Sequence, residues 1–300
     1  MTLEQLRIFA AVAAREHVTQ AAGVLHLTQA AVSASIAALE AQHGVKLFDR
    51  VGRGVALTTA GRQFLPEAQA LLARAAAAEA VLGDFGGLKR GRVKVCASQT
   101  MAGYFLPHVL AGFRKAHPGV EVELAIGNTA QVARALRAGE AELGFVEGPL
   151  DAPDLLVEEV AAERMGLFAP AGHPWGRSNG GMTTGDLRRA EWVLREEGSG
   201  TREAFLAELA AQHGLDVAAL NIVLTLPSNE AVREAVVAGV GVTCLSPLVC
   251  ASALKAGLLC RGNMMLGLRQ FNAVRQKERY VTQAAAAFLT AAKSHPGLSW

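Results

Sequence analysis

The chain has 300 residues, 51% of them hydrophobic and 19% charged, with a formal net charge of +2 at neutral pH. That much apolar material excludes a disordered chain, and the length suggests two or three folding units. The small net charge excludes a globally basic nucleic-acid binder, so any basic patch must be local.

The N-terminal MTLEQLRIFAAVAAREH mixes acids with arginines and does not resemble a secretion signal, so a cytoplasmic protein is expected. Leu3, Leu6, Phe9, Ala10 and Ala13 predict a first amphipathic helix. Thr19 reads as the cap of a second helix, QAAGVLHL, that stops near Leu27, and Thr28 reads as the cap of a third. The third helix, TQAAVSASIAALE, has one apolar stripe of Val32, Ile36 and Leu39. Its other side carries Ala30, Ser33, Ala34 and Ala37, with Gln29 at the edge, where a solvated helix usually has Lys and Glu. Gly44 stops it, and VKLFDRVGRGVALT alternates and bends through Gly52 and Gly54, predicting a β-hairpin.

Two helices, a tight turn and a third helix with a bare outer face form a helix-turn-helix pattern. Small residues let the helix backbone sit deep in a DNA major groove roughly 12 Å wide. Gln29 suits an adenine edge, and Ser33 suits a base or a phosphate. Arg50 and Arg53 place cations where a hairpin reaches the phosphate backbone, with Lys46 and Arg62 as further cations. The alternative is a helix buried all round in a small bundle, which its alanines also allow.

Thr59 opens a long helix, TAGRQFLPEAQALLARAAAAEAVLGDF, in which Pro66 is tolerable with a kink. About 28 residues at a helical rise of ~1.5 Å span roughly 40 Å. Leu65, Leu71, Leu72, Ala75 and Leu82 make a stripe suited to a partner helix, with burial on the chain's own core as the alternative.

From Gly91 the texture changes to α/β: RVKVCAS, a helix, VEVELAIG, a helix, then AELGFVEG, an alternation that predicts mostly parallel sheets. NTAQVARALRAGEAELGFV from Asn128 is echoed by SNEAVREAVVAGVGVTCLS from Ser228, which favours two similar lobes. Residues 235–254, AVVAGVGVTCLSPLVCASAL, are uncharged and long enough for a membrane span. Gly239, Gly241 and Pro247 break that run, so it reads as helix end, buried strand, turn and new helix. Cys96, Cys244, Cys250 and Cys260 form no CxxC pair and have no His at ligand spacing. Neither a metal site nor a disulfide framework is expected, and no cofactor; a redox pair of Cys244 and Cys250 stays open.

Several predicted helix starts in the α/β part carry hydroxyls and amides: Ser98-Gln99-Thr100, Asn128-Thr129, Ser199-Gly200-Thr201 and Ser228-Asn229. Helix N-termini offer unpaired N–H groups and a positive dipole end, so clustered starts make an anion site. Ordinary capping is the alternative for each, and accounts for Asn128 and Ser228 by itself. In REEGSGTRE, Gly198 and Gly200 permit close backbone approach, and Thr201 with Arg202 suits a carboxylate or oxyanion. Arg202 has Glu197 and Glu203 as alternative partners.

The run TQAAGVLHLTQAAVSASIAALEAQHGVKLFDRVGRGVALTTAG closely resembles the winged-helix head of LysR-type transcriptional regulators, and the likeness extends over the whole chain. It implies a winged helix-turn-helix at 1–58, a linker and dimerisation helix at 59–90, and an effector-binding domain at 91–300. That domain would be a two-lobed α/β unit of periplasmic-binding-protein type, with lobe I at about 91–164 and 268–300 and lobe II at about 165–267. Matching positions assign DNA contacts to Thr28, Gln29, Ala30 and Ser33, and backbone contacts to Arg50 and Arg53. The chain departs from the family at 34, 37 and 38, where Ala stands in place of a common Arg, Lys or Gln, so fewer phosphate contacts are expected. The resemblance places an effector between the lobes, at Ser98, Gln99, Thr100, Asn128, Thr129, Ser199, Thr201 and Arg202. SQT combined with EEGSGTR looks most like a branch linked to sulfur assimilation and inorganic anions. A sulfite- or sulfate-like oxyanion is the leading effector, and a small organic carboxylate the second. Expected partners are an operator in double-stranded DNA, a second copy or four copies of the chain, and RNA polymerase. A two-lobed enzyme or solute-binding protein is the competing class. Against it, there are no paired catalytic acids in motif context, no G-x-S-x-G elbow and no Gly-rich nucleotide loop.

Overall fold

The structure, a computed structural model, describes residues 1–52, 54–84, 91–177 and 182–295, and the chain divides into two compact units. The first unit opens with α1 (Leu3–Arg15), α2 (Val18–Leu25) and α3 (Gln29–His43). The hairpin of β1 (Phe48–Val51) and β2 (Gly54–Leu57) follows, then α4 (Thr59–Asp84). Thr2 caps α1 in a full capping box, and Thr28 caps α3 by accepting from Ala31 N at 3.1 Å. The second helix differs from the sequence reading. It starts at Val18 with His17 in the cap position and no side-chain cap bond, so Thr19 lies in its first turn. It ends at Leu25 because His26 turns left-handed at φ 54°, and α3 leaves at 108° to α2.

Two small cores hold this unit. Leu6, Phe9, Leu39, Leu47 and Ala68 form one, and Ile8, Val12, Ala21, Ala22 and Val32 the other. The α3 stripe is therefore split between them: Val32 serves one core and Leu39 the other. Glu40 is the buried polar member of α3. Its Oε1 accepts from Leu47 N at 2.8 Å and Phe48 N at 3.2 Å, and Oε2 binds Lys46 at 2.6 Å. This one side chain ties α3 to the start of the hairpin, and it also takes up Lys46. Arg62 is likewise engaged, donating to the Leu57 carbonyl at 2.5 Å.

The second unit contains β3 (Gly91–Ser98), a π-helical turn at Met101–Phe105, α5 (Leu106–Ala116), β4 (Val120–Gly127), α6 (Thr129–Ala138) and β5 (Leu143–Glu147). After these come β6 (Leu155–Arg164), β7 (Gly166–Pro170), α7 (Thr184–Arg189), β8 (Glu191–Arg195) and α8 (Gly200–His213). The remaining elements are β9 (Asn221–Leu226), α9 (Asn229–Val237), β10 (Thr243–Leu245), α10 (Pro247–Lys255), β11 (Leu259–Arg261), β12 (Leu268–Gln276) and α11 (Gln283–Lys293). Lobe I is a five-stranded sheet in the order β4-β3-β5-β12-β6. Lobe II holds the three-stranded β10-β7-β11 and the parallel pair β8-β9, joined through a Trp192–Val242 bridge.

The sheets are mixed rather than mostly parallel. The strands of the β-helix-β units, β3, β4 and β5, run parallel. The strand returning from lobe II, β12, pairs antiparallel with both β5 and β6, because the chain leaves one lobe along β6 and comes back beside it. Alternation along β3 divides the lobe I core: Val93, Val95 and Ala97 meet α5 and α11, while Cys96 faces α6. Lobe II is centred on Trp192, whose ring centroid lies 4.8 Å from that of Phe205 of α8, the planes tilted by 47°. The echo is structural too: α6, Gly139 and β5 repeat as α9, Gly239 and β10, with both glycines at positive φ. Residues 235–254 fold as the end of α9, buried β10, a turn and α10, and among the described residues no single helix is long and apolar enough to cross a membrane.

The lobes approach closely at Gly200. A Cβ built there would lie 1.9 Å from the Glu147 carbonyl oxygen, and one on Gly148 would lie 2.6 Å from the Gly200 carbonyl oxygen. Gly200→Ala is expected to destabilise the second unit by about 1–3 kcal/mol through overpacking, read as a lower urea midpoint; an unchanged midpoint would show that the lobes separate freely. Glu40→Ala should cost about 1–3 kcal/mol because the buried Leu47 N–H and the half-buried Phe48 N–H lose their acceptor, and Glu40→Gln less, since an amide oxygen still accepts. Burial works to raise the Glu40 carboxyl, but Lys46 and the N–H groups of Leu47 and Phe48 outweigh it and hold it below the ordinary carboxylate range. Its contribution is therefore full above the unfolded carboxylate's range and is lost as pH falls through the lowered value. Acid titration of stability in wild type and Glu40→Gln checks the sign.

Candidate functional site

Two sites emerge, one in each unit. In the first, Thr28, Gln29, Ala30 and Ser33 are all exposed, as are Ala34 and Ala37. Exposure of this whole face rules out a helix buried all round. The face is bare to solvent because α3 buries only Val32, Leu39 and Glu40. Arg50 is exposed on β1, in register with Val55 of β2; Arg53 lies outside the described residues. Gly52 turns the hairpin at φ 57°, and the Val55 N–H donates to the Glu16 carbonyl at 2.9 Å, fixing the wing against the end of α1.

The second site is the seam between the lobes, and it brings the predicted hydroxyls and amides together in two buried networks. In the first network, Ser98 at the end of β3 and Thr201 in the first turn of α8 both donate to the Glu147 carboxylate, Thr201 at 3.2 Å. Thr129 donates to the Glu147 carbonyl at 3.4 Å. Thr201 also accepts from Arg269 at 2.9 Å, and Arg269 pairs with Glu163, which in turn accepts from Ser246 at 2.7 Å. Arg269 and Glu163 face each other in the β12–β6 register, at the strands that join the lobes. Ser98, Glu147 and Thr201 are 2%, 1% and 1% exposed, so solvent does not reach this cluster while the lobes are closed.

In the second network, Gln99 donates to the Pro227 carbonyl at 2.8 Å and accepts from Asn229 N at 2.9 Å. Asn229 donates to Thr100 at 3.1 Å and accepts from the buried Arg195 at 2.5 Å. Arg195 also pairs with Glu196, and Asn128 donates to Glu196 at 3.2 Å. Burial works to raise the Glu196 carboxyl, but Arg195 and then Asn128 bring it below its ordinary value. Asn128 therefore does more than cap α6: its Oδ1 accepts from Gln131 N at 2.9 Å while its amide reaches lobe II. Ser228 is a cap, accepting from Ala231 N at 3.0 Å.

Two predicted residues behave differently from the rest. Ser199 is buried at the start of α8 yet makes no side-chain cap bond, so the first turn of that helix lacks a side-chain acceptor for its N–H groups. Arg202 pairs with neither Glu197 nor Glu203 in the described contacts; it donates to the Arg195 carbonyl at 3.0 Å. Sequence reasoning missed Glu147, Glu163, Arg195 and Arg269. The available signal was a charged residue closing an apolar buried run, as in the LGFVE and WVLR segments. Among the described residues no three His, Cys, Asp or Glu side chains are placed to hold a metal. Burial raises the Cys244 and Cys250 thiols, the latter to about 12, which disfavours the thiolate form that reacts with oxidants.

Comparison with known proteins assigns both regions of the chain to one family of regulators. Residues 3–62 match the family described as bacterial regulatory helix-turn-helix protein, lysR family, and residues 86–297 match the LysR substrate binding domain. The chain is 34% identical over 291 residues to the uncharacterised HTH-type transcriptional regulator YeiE of Escherichia coli K12, covering 96% of each chain. It is 30% identical over 303 residues to the HTH-type transcriptional regulator CysL of Bacillus subtilis, covering 98% of each. Full-length CbnR, in a crystal structure with its target DNA, has the same fold at a TM-score of 0.70 and 23% identity, over 98% of this chain and 99% of that one. The chain belongs to the LysR family: it is a DNA-binding transcriptional regulator with an effector-binding domain, not an enzyme.

Proposed function

We propose that this regulator reads its operator with the bare face of α3 and responds to a small anion held in the seam between its effector lobes. The single observation that carries the second part is the burial of Ser98 and Thr201 on the Glu147 carboxylate, with Thr129 on the carbonyl of the same residue and Ser199 buried at the uncapped start of α8. Helix N-termini and hydroxyls are anion-binding groups, and here they are already arranged on an internal anion. An effector enters when the lobes part, engages Ser98, Gln99 and Thr100 from lobe I with Asn128 and Thr129, and meets Ser199, Thr201 and Arg202 from lobe II. A sulfite- or sulfate-like oxyanion is the leading effector in this reading, and the likeness to CysL is consistent with the sulfur-linked branch. A small organic carboxylate offers the same oxygen pair and is the second reading.

On the DNA side, Gln29 and Ser33 read bases, Thr28 and Ala30 lie against the groove, and Arg50 with Arg53 holds the phosphate backbone. The alanines at 34, 37 and 38 limit phosphate contacts from α3 itself. The 1–58 head, the 59–90 linker and the 91–300 effector domain, with its lobes dividing near 165 and 268, act as separate parts of this scheme. Self-association through the linker helix is supported by Leu71 and Leu82, which are 45% and 73% exposed on α4. A homodimer or homotetramer in the cytoplasm, acting on RNA polymerase at the operator, completes the reading.

Gln29→Ala is expected to cost about 1–3 kcal/mol of discrimination between operator and mismatched DNA. Ser33→Ala should weaken operator binding more than non-specific binding, measured by anisotropy at fixed salt; equal losses on both DNAs would remove α3 from base reading. For the effector, a ligand at ~100 times its dissociation constant adds about 2.7 kcal/mol, visible as a thermal shift. Thr201→Val should abolish that shift with sulfite while leaving operator binding without effector intact. A full shift in the variant would take Thr201 out of the site.

A further inference from the structure

Resting on the anion site proposed above, we infer that Glu147 selects the anion. The seam accepts a small oxyanion that keeps a hydroxyl proton near neutral pH, of the hydrogensulfite or hydrogenphosphate kind, and discriminates against sulfate and nitrate. The decisive quantity is the number of protons around one carboxylate. Ser98 donates to Glu147 Oε2, and Thr201 donates to Glu147 Oε1. A hydroxyl carries a single proton, so both are already spent. A lone pair of Thr201 is engaged as well, accepting from Arg269 Nη1.

An anion without a proton therefore meets acceptor against acceptor. It faces the Glu147 oxygens and two hydroxyls whose hydrogens point away from it. An anion with an O–H donates it to Glu147 and replaces one hydroxyl on the carboxylate. That hydroxyl is then free to rotate and donate to the ligand, so both the Glu147 oxygen and the released hydroxyl keep a hydrogen-bond partner. No proton need leave either molecule for this exchange, and no bond beyond hydrogen bonds forms or breaks.

Charge favours the same class. Arg269 is the buried cation of the cluster, and it already faces two carboxylates, Glu163 and, at 3.8 Å, Glu147. Its Nε is buried with no hydrogen-bond partner, leaving one charge-assisted donor in the cluster for a guest oxygen. A guest that shares a proton with Glu147 puts a hydrogen between the two oxygens, where a bare anion puts only repulsion. The glycines on either side make the assignment specific to position 147. Gly148 and Gly200 let the end of β5 and the start of α8 touch, which presses this carboxylate into the hydroxyls.

The test is isothermal titration of the full chain near pH 6.5 with sulfite, inorganic phosphate, sulfate and nitrate, in wild type and Glu147→Gln. In wild type, the tighter of sulfite and phosphate is expected to bind at least tenfold more strongly than sulfate or nitrate. Glu147→Gln supplies an amide donor in place of an acceptor, and should bring that ratio below threefold. Sulfate binding within threefold of the preferred anion in wild type would overturn the selection by Glu147 while leaving an anion site in place. A tenfold ratio kept in Glu147→Gln would overturn it equally. Binding of none of the four anions to wild type would remove the inorganic-oxyanion reading beneath it as well. The wild-type ratio is read without the variant, so a variant that fails to fold still leaves a decisive result.

Discussion

The constraint on which the effector domain depends is a carboxylate buried where two lobes meet. Glu147 closes a strand of lobe I, yet its oxygens are held by hydroxyls from both lobes, with Arg269 beside them from the connecting strand. A buried charge without partners is costly, so the donors must come to it. Ser98 arrives at the end of β3, Thr201 in the first turn of α8, and Arg269 at the start of β12. This gathers the topological ends of one sheet and the start of one helix at a single point. The closed arrangement of the lobes satisfies that carboxylate, and in the proposed scheme a competing ligand acts there.

A second polar tie of the same kind organises the DNA-binding unit. Glu40, near the C-terminal end of α3, is buried beneath the hairpin and holds its start through two backbone N–H groups. Burying one face of the recognition helix with Val32, Leu39 and Glu40 fixes the orientation of the other. The exposed methyls of Ala30, Ala34 and Ala37 keep that face shallow, with Gln29 and Ser33 exposed beside them. Both units thus use a buried glutamate as a structural acceptor and leave small or hydroxylated residues to face a partner.

Much of this was legible in the sequence. Periodicity gave the helices and the hairpin, and the hundred-residue echo of α6-Gly139-β5 in α9-Gly239-β10 anticipated two related lobes. The capping residues Thr28, Asn128 and Ser228 were visible because caps are local. What stayed hidden was non-local. Thr19 has the chemistry of a cap, but the helix starts earlier because His17 and Val18 follow directly on the left-handed Glu16 at the end of α1. The antiparallel course of β12 depends on where the chain re-enters lobe I, which no local pattern records. Glu147, Arg195 and Arg269 were missed for a similar reason. A charge at the end of an apolar strand looks like the strand meeting solvent, and only the docking of the second lobe buries it. Ser98 and Thr201 were found as hydroxyls at helix starts, while the acceptor they share could not be.

Hydrogen exchange on the full chain, with and without sulfite, tests most directly whether an effector acts at the seam. Amides of residues 98–101, 147–148 and 199–203 should change their exchange together when the anion is added, since they surround one carboxylate. Unchanged exchange at those three segments, with changes confined to other parts of the chain, would place the effector elsewhere and contradict the interlobe assignment.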